Sequence, residues 1–126
     1  MPARVLLVEN ELIIAADLRN KLTRLGHEVV GIAITGEEAV GMAEELRPDL
    51  VLMDIQLEGG MRGTECARTI QERTGAPIIF LTAFSGTFVR DATDIHPRIC
   101  LSKPFSRVQL ETALDTVLGK RSQDPS

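Results

Sequence analysis

The sequence predicts an α/β domain built on a doubly wound, five-stranded parallel sheet. Short apolar runs alternate with helix-like stretches along the chain, and the runs at residues 50–53 and 77–81 are almost unbroken. Unbroken runs of this length are typical of strands that are buried on both faces, which a parallel sheet requires when helices cover each side. The regular alternation of strands and helices indicates the doubly wound architecture.

The strands and the first helix follow from the apolar pattern. The predicted strands lie at residues 4–8, 28–32, 50–53, 77–81 and 99–101. After the first strand, apolar residues at helical spacing predict one buried stripe, which consists of Leu12, Ala15, Leu18, Leu22 and Leu25. Gly26 supplies the stop signal for this helix.

Capping boxes open two further helices. Thr35 is followed three residues later by Glu38, and Ser106 by Gln109, so that each pair can satisfy backbone N–H groups at a helix start. Arg47 and Pro48 end the first of these helices. The predicted inward residues are Val40, Ala43 and Leu46 in the second helix and Leu110, Ala113, Leu114, Val117 and Leu118 in the last helix.

Two more helices complete the pattern, at residues 61–73 and 85–93. The second contains Gly86 and two threonines, which makes it the weakest helical pattern in the chain. Residues 120–126 are polar and lack periodicity, so they are predicted to form a flexible tail or a truncated linker. The 126 residues fit one domain, 1–126, with a core from about residue 4 to residue 119.

Composition excludes several classes of partner. The net charge is −4, with 14 basic and 18 acidic residues, and Tyr and Trp are absent, so direct nucleic-acid binding is not expected. No apolar run approaches the roughly 20 residues that span a bilayer, so no membrane association is expected. Cys66 and Cys100 lack CxxC spacing and are predicted to be reduced thiols of a cytoplasmic protein, Cys66 as a core residue.

The chemistry is expected where the strands end, because ligands of open parallel sheets bind outside the carboxyl ends of the strands. There the sequence places Glu9, Asn10 and Glu11 after the first strand, Asp54 after the third, Thr82 after the fourth and Lys103 after the fifth. Glycine-rich phosphate loops and a serine nucleophile with a histidine partner are missing from the sequence. His27 and His96 lie in connecting segments and have no metal-ligand spacing.

Four ordered segments carry a family resemblance: VLLVENE, DLVLMDIQL, PIIFLTA and LSKPF. In this order and at these intervals they resemble the receiver domain of bacterial two-component response regulators, the chemotaxis-regulator type. The resemblance extends over residues 4–119. It implies a flavodoxin-like receiver fold with strand order 2-1-3-4-5.

The resemblance also implies roles for the strand-end residues. Asp54 corresponds to the phosphoacceptor, whose carboxylate becomes an acyl phosphate, and Thr82 and Lys103 correspond to the hydroxyl and the ammonium that contact the phosphoryl oxygens. The implied cofactor is Mg²⁺ or Mn²⁺, held by Glu9, Asn10, Asp54 and the backbone carbonyl of Gln56. The bond between Lys103 and Pro104 is expected to be cis.

Two positions depart from the family pattern. Asn10 replaces the second of two adjacent acids, which predicts weaker metal binding. Asn10 could instead cap the first helix. Glu11 could substitute as a metal ligand, or it could only stabilise the positive end of the first helix. Cys100 stands where receivers place a rotating aromatic ring, so we expect the response to depend on Thr82, Lys103 and the reordering of residues 85–93 over Phe84 or Phe88. Gln56 and Phe84 are expected to tune hydrolysis of the phosphoryl group.

The predicted function is that of a phosphorylatable signalling module. It is not an enzyme beyond its own phosphorylation and dephosphorylation, and its partners are a histidine kinase or histidine phosphotransfer protein and a downstream protein target. The target is expected to bind the face formed by the fourth predicted helix, the fifth strand and the last helix, with Arg90, Arg98, Arg107 and Gln109 as candidate contacts.

Two alternatives stay open. The first is a pseudo-receiver, a constitutive interaction domain with a decayed acidic pocket, suggested by Asn10 and Cys100. The intact set of Asp54, Thr82 and Lys103 argues against it. The second is a flavodoxin-like or haloacid-dehalogenase-like enzyme, but the dehalogenase type places its nucleophile after the first strand in a DxDx[TV] pattern, which VENE does not provide.

Overall fold

Five parallel strands form a single sheet in the order β2-β1-β3-β4-β5, as predicted. The computed structural model describes residues 2–55, 62–82 and 99–122, and of residues 82 and 119–122 it describes the backbone. The strands are β1 (Arg4–Val8), β2 (Glu28–Ala33), β3 (Leu50–Asp54), β4 (Ile78–Thr82) and β5 (Ile99–Ser102). All but the first strand end one residue later than predicted, which makes Asp54 and Thr82 the last residues of their strands.

The described helices are α1 (Leu12–Arg24), α2 (Gly36–Leu46), α3 (Gly63–Thr74) and α4 (Arg107–Ser122). Both predicted capping residues accept hydrogen bonds: the Thr35 hydroxyl from the Glu38 N–H at 3.2 Å and the Ser106 hydroxyl from the Gln109 N–H at 3.1 Å. The α2 helix ends at Leu46, and its C-cap residue Arg47 adopts the left-handed conformation with φ 49°. The chain therefore turns sharply there, directly before Pro48.

The helices cover both faces of the sheet. On one face, α2 and α3 pack on strand residues that include Val8, Met53 and Phe80, and Cys66 lies fully buried in this layer, as predicted. On the other face, α1 and α4 pack on Leu7, Leu52 and other strand residues. Since each central strand contributes side chains to both layers, β3 is buried at every position.

Two expectations about the extent and burial of the helices are wrong. Leu12, placed on the buried stripe of the first helix, is 65% exposed, whereas Ala15, Leu18 and Leu22 are buried. Leu12 begins the helix at the carboxyl edge of the sheet, beyond the strand side chains that cover the later turns. The tail predicted from residue 120 is also wrong at its start, because α4 continues to Ser122 and residues 120–122 are helical. Lys120 and Arg121 have high helix propensity, which sustains the last turn.

Some expectations lie outside the described residues. These are the helix predicted at 85–93 with Phe84 and Phe88, the position of Gln56 and the end of the predicted tail at 123–126. Among the described helices, none has the length and apolar content needed to cross a membrane.

Candidate acidic site at the carboxyl edge

Three strands bring the predicted site residues together. Glu9 follows β1, Asp54 ends the adjacent β3, and Lys103 follows β5. The parallel register aligns Asp54 with Leu81 and Thr82 with Ser102, so the ends of β3, β4 and β5 lie side by side. The Thr82 backbone is therefore at the predicted edge, while its side chain lies outside the described part of the chain.

The Lys103 ammonium links both buried carboxylates. Its Nζ donates a hydrogen bond to Glu9 Oε1 at 3.2 Å and lies 3.5 Å from Asp54 Oδ2. Glu9 is 0% exposed and Asp54 is 5% exposed, so both carboxylates depend on this cation and on hydrogen bonds for compensation. The Lys103–Pro104 peptide is cis, as the family resemblance implied.

Backbone contacts hold Glu9 in place. Its N–H donates to the Ala33 carbonyl at 2.9 Å, and its Oε2 accepts from the Glu11 N–H at 3.2 Å. The pKa of the Glu9 carboxyl is raised from 4.5 to about 7, first by burial and then by the charge of Asp54, while Lys103 opposes the shift. Among the described residues, Glu9 and Asp54 therefore carry more negative charge than the Lys103 ammonium balances, and a proton or a second cation is favoured beside Glu9.

The donor set fits a hard divalent cation. Glu9 and Asp54 provide carboxylate oxygens, which Mg²⁺ prefers, and Asn10 lies half-buried next to Glu9. Within the described ranges there is no group of three or more His, Cys, Asp or Glu side chains with metal-site spacing, so the described part of the pocket offers two carboxylates.

The helix-cap alternative for Asn10 is wrong. The N-cap of α1 is Glu11, and its side chain makes no capping hydrogen bond. The Asn10 amide also makes no hydrogen bond to another described residue, so no contact among the described residues explains an amide at this position. Glu11 is exposed at the helix start and contributes its backbone N–H to the site.

Some of the other predicted site residues lie in the described part of the chain and some lie outside it. Cys100 is half-buried against the α2 and α3 layer, and burial raises the pKa of its thiol. Arg107 and Gln109 are exposed at the start of α4, where the Gln109 side chain accepts a hydrogen bond from the Ser106 N–H. Arg90, Arg98, Phe84 and Gln56 lie outside the described residues.

The sequence pattern missed an exposed apolar surface at the start of α1, the helix that follows Glu9 in the chain. Leu12 is 65% exposed and Ile13 86% exposed in the first turn of α1. Beside them, a cavity of about 420 Å³ is lined by Ile14, Asp17, Leu18, Lys21, Lys103, Pro104 and Phe105. Helical periodicity alone cannot reveal this surface, because it assigns Leu12 to the core.

Comparisons with known proteins place this arrangement among receiver domains. The family model described as the response regulator receiver domain matches residues 5–115. The transcriptional regulatory protein PdtaR of Mycobacterium tuberculosis is 40% identical over 121 residues, which cover 95% of this chain and 58% of PdtaR. The chain spans about half the length of the curated relatives it matches.

Solved structures have the same fold. The signal receiver domain of a modulated diguanylate cyclase from Desulfovibrio desulfuricans is 35% identical, with a TM-score of 0.88 over 99% of this chain and 100% of that one. A chain in the CheX–CheY–BeF3–Mg complex from Borrelia burgdorferi is 25% identical, with a TM-score of 0.85 over 94% of this chain and 90% of that one.

Proposed function

The chain belongs to the response regulator receiver domain family, and on this premise we propose that it is a phosphorylatable module whose Asp54 accepts a phosphoryl group. Receiver domains are signalling phosphoacceptors of two-component systems and interact with histidine kinases and downstream targets. The observation that carries the proposal is the buried contact between Asp54 and Lys103, 3.5 Å apart, beside buried Glu9. The proposed module is a single domain, 1–126, that acts in the cytoplasm.

The proposed reaction is nucleophilic displacement at phosphorus. A carboxylate oxygen of Asp54 attacks the phosphorus of a phosphohistidine, the phosphorus–nitrogen bond breaks, and its electron pair returns to the imidazole. The Lys103 ammonium lies within reach of Asp54 and neutralises charge on a phosphoryl oxygen, while the Thr82 hydroxyl donates to another. Water later hydrolyses the acyl phosphate, at a rate that Gln56 and Phe84 tune.

Receiver domains generally bind Mg²⁺ at the acidic pocket. In this chain Glu9, Asp54, the Asn10 amide and the Gln56 backbone carbonyl would hold Mg²⁺ or Mn²⁺. The bound ion supplies positive charge that the two carboxylates and the transferred phosphoryl group require. A similar chain solved in a complex with BeF3 and Mg²⁺ supports the choice of ion.

The amide at position 10 predicts weak metal binding. We expect Asn10→Asp to tighten Mg²⁺ binding about ten- to a hundredfold, since an added carboxylate near the ion contributes on the order of 1 to 3 kcal/mol after screening. Calorimetric titration measures the change, with exposed Asn20→Asp in α1 as the matched control. Equal Mg²⁺ affinities of Asn10→Asp and the wild-type chain would rule out a role for position 10 at the metal.

The phosphodonor is proposed to dock on the apolar first turn of α1. Exposed apolar surface near a functional site is typical of a protein interaction surface. Leu12 and Ile13 are exposed in the first turn of α1, which follows buried Glu9 in the chain. A small acyl phosphate reaches the carboxylate without such a surface, whereas a phosphohistidine protein needs one. Downstream, the proposed target contacts Arg90, Arg98, Arg107 and Gln109.

Docking on α1 predicts that a change in this surface slows phosphorylation by a phosphohistidine protein but not by a small acyl phosphate. In Leu12→Ser/Ile13→Ser, we expect phosphoryl transfer from a phosphohistidine protein to slow at least tenfold, because apolar anchors contribute more than about 1 kcal/mol each at protein interfaces. Phosphorylation by a small acyl phosphate should keep its wild-type rate, and so should both reactions of the control Arg19→Ser. Equal slowing of both reactions in the double variant would contradict the docking role.

The experiment that tests the proposed function is incubation with a small acyl phosphate and Mg²⁺, followed by intact mass measurement. We expect one phosphoryl group per chain, lost when the metal is chelated beforehand. A chain that never gains this mass, under conditions that phosphorylate a reference receiver, would instead support the pseudo-receiver alternative.

A further inference from the structure

Gly63, the first residue of α3, lies directly against the backbone of the proposed phosphoacceptor. A methyl group on its Cα would lie 2.6 Å from the Asp54 carbonyl oxygen, 2.6 Å from Ile55 Cα and 2.8 Å from the Ile55 carbonyl oxygen. All three are backbone atoms, which cannot rotate away as a flexible side chain does. A side chain at position 63 would therefore separate α3 from the end of β3 by several tenths of an ångström.

Hydrogen bonds hold the same segment from both sides. The Gly63 N–H donates to the Ile55 carbonyl at 3.1 Å, and the Ile55 N–H donates to the Leu81 carbonyl of β4 at 3.1 Å. The peptide that follows Asp54 is thus fixed between α3 and β4. The requirement for glycine is one of space, because the described glycines with positive φ are Gly26 and Gly75, and Gly63 is not among them.

On the basis of the proposed function, we propose that Gly63 is a positioning residue for phosphoryl transfer to Asp54. The absence of a side chain allows α3 to pack on residues 54–55 and to hold the Asp54 carboxylate where it meets the phosphorus. In-line displacement depends on this placement, and a displacement of about 1 Å can slow a reaction by about a hundredfold. Gly63 touches no reacting atom and acts through Asp54.

The test is the rate of phosphorylation of Gly63→Ala by a small acyl phosphate at saturating Mg²⁺. We expect the rate constant to fall about ten- to a hundredfold in a chain that retains its folded circular dichroism spectrum. Gly41→Ala is the matched control, because a methyl group there meets nothing within 4 Å, and it should react at the wild-type rate. Leu22→Val shortens a core side chain between α1 and the sheet, so it controls for an effect of lower stability on the rate. The folded Leu22→Val chain should be phosphorylated at the wild-type rate.

Each outcome decides the proposal. A folded Gly63→Ala chain that reacts at the wild-type rate would overturn the positioning role, and so would equal slowing in Leu22→Val, because the effect would then follow stability. If the wild-type chain takes up no phosphoryl group, the proposed function fails and the role of Gly63 fails with it. Uptake by the wild type combined with an unaffected Gly63→Ala contradicts the positioning role alone.

Hydrogen exchange of the wild-type chain tests the contact even if Gly63→Ala does not fold. We expect the Gly63 amide to exchange as slowly as amides within the sheet, because it donates to the Ile55 carbonyl. The exposed first-turn residue Glu37 of α2 provides the fast reference. Exchange of the Gly63 amide at the rate of Glu37 would show that α3 does not hold the end of β3, and would overturn the proposal.

Discussion

Asp54→Asn should abolish phosphorylation by both a small acyl phosphate and a phosphohistidine protein. The amide has nearly the size of the carboxylate, so it fits the same space at the end of β3, but it lacks the anionic oxygen that attacks phosphorus. Asp54 is 5% exposed and lies 3.5 Å from Lys103, which places this nucleophile beside the group that neutralises the transferred charge. Intact mass measurement should show no added phosphoryl group in the variant.

The matched control is Asp17→Asn. Asp17 is exposed on α1, where it pairs with Lys21, and it borders the cavity next to the acidic pocket. This variant should gain a phosphoryl group at the wild-type rate. Labelling of Asp54→Asn at a rate comparable to the wild type would show that another residue is the acceptor.

Lys103→Ala should retain the fold but lose much of the response to phosphorylation. The ammonium contacts Glu9 and Asp54 at the edge of the sheet and contributes nothing to either apolar layer, so truncation leaves the core intact. A switch from 1:99 to 99:1 requires about 5.5 kcal/mol, and one hydrogen bond to a charged group contributes about 1.5 to 3 kcal/mol. Loss of this interaction should therefore lower the active fraction of the phosphorylated chain from about 99% to a value between about 90% and about 40%.

Backbone amide spectra with and without beryllofluoride measure this fraction. Lys21→Ala is the control, since Lys21 lines the same cavity from α1 but contacts Asp17 rather than the acidic pocket. Its spectral response should match that of the wild-type chain. A full response in Lys103→Ala would contradict the proposed role of the ammonium.

The apolar pattern predicts the strands well because each central strand is buried on both faces. In β3 every residue is buried, and an unbroken apolar run is the direct consequence. The meeting of Glu9, Asp54 and Lys103 is also predictable, since parallel strands end at one edge. These inferences need only the order of the strands, which the family resemblance provided.

Other features depend on packing that a linear pattern does not contain. Leu12 has the spacing of a core residue, but α1 begins beyond the part of the sheet that could cover it. Gly63 is one of ten glycines in the sequence, and its requirement for space follows from the approach of α3 to residues 54–55. Neither the exposed side chain nor the close backbone contact has a signature in residue spacing.

The most direct test of Asp54 as the phosphoacceptor is to locate the phosphoryl group within the chain. Borohydride reduces an acyl phosphate to an alcohol, so a phosphorylated aspartate is converted to homoserine and can be identified by peptide mass mapping. After treatment with a small acyl phosphate and Mg²⁺, we expect homoserine at position 54, and none there when the phosphodonor is omitted. A phosphorylated chain in which Asp54 is unmodified and another residue carries the label would contradict this assignment.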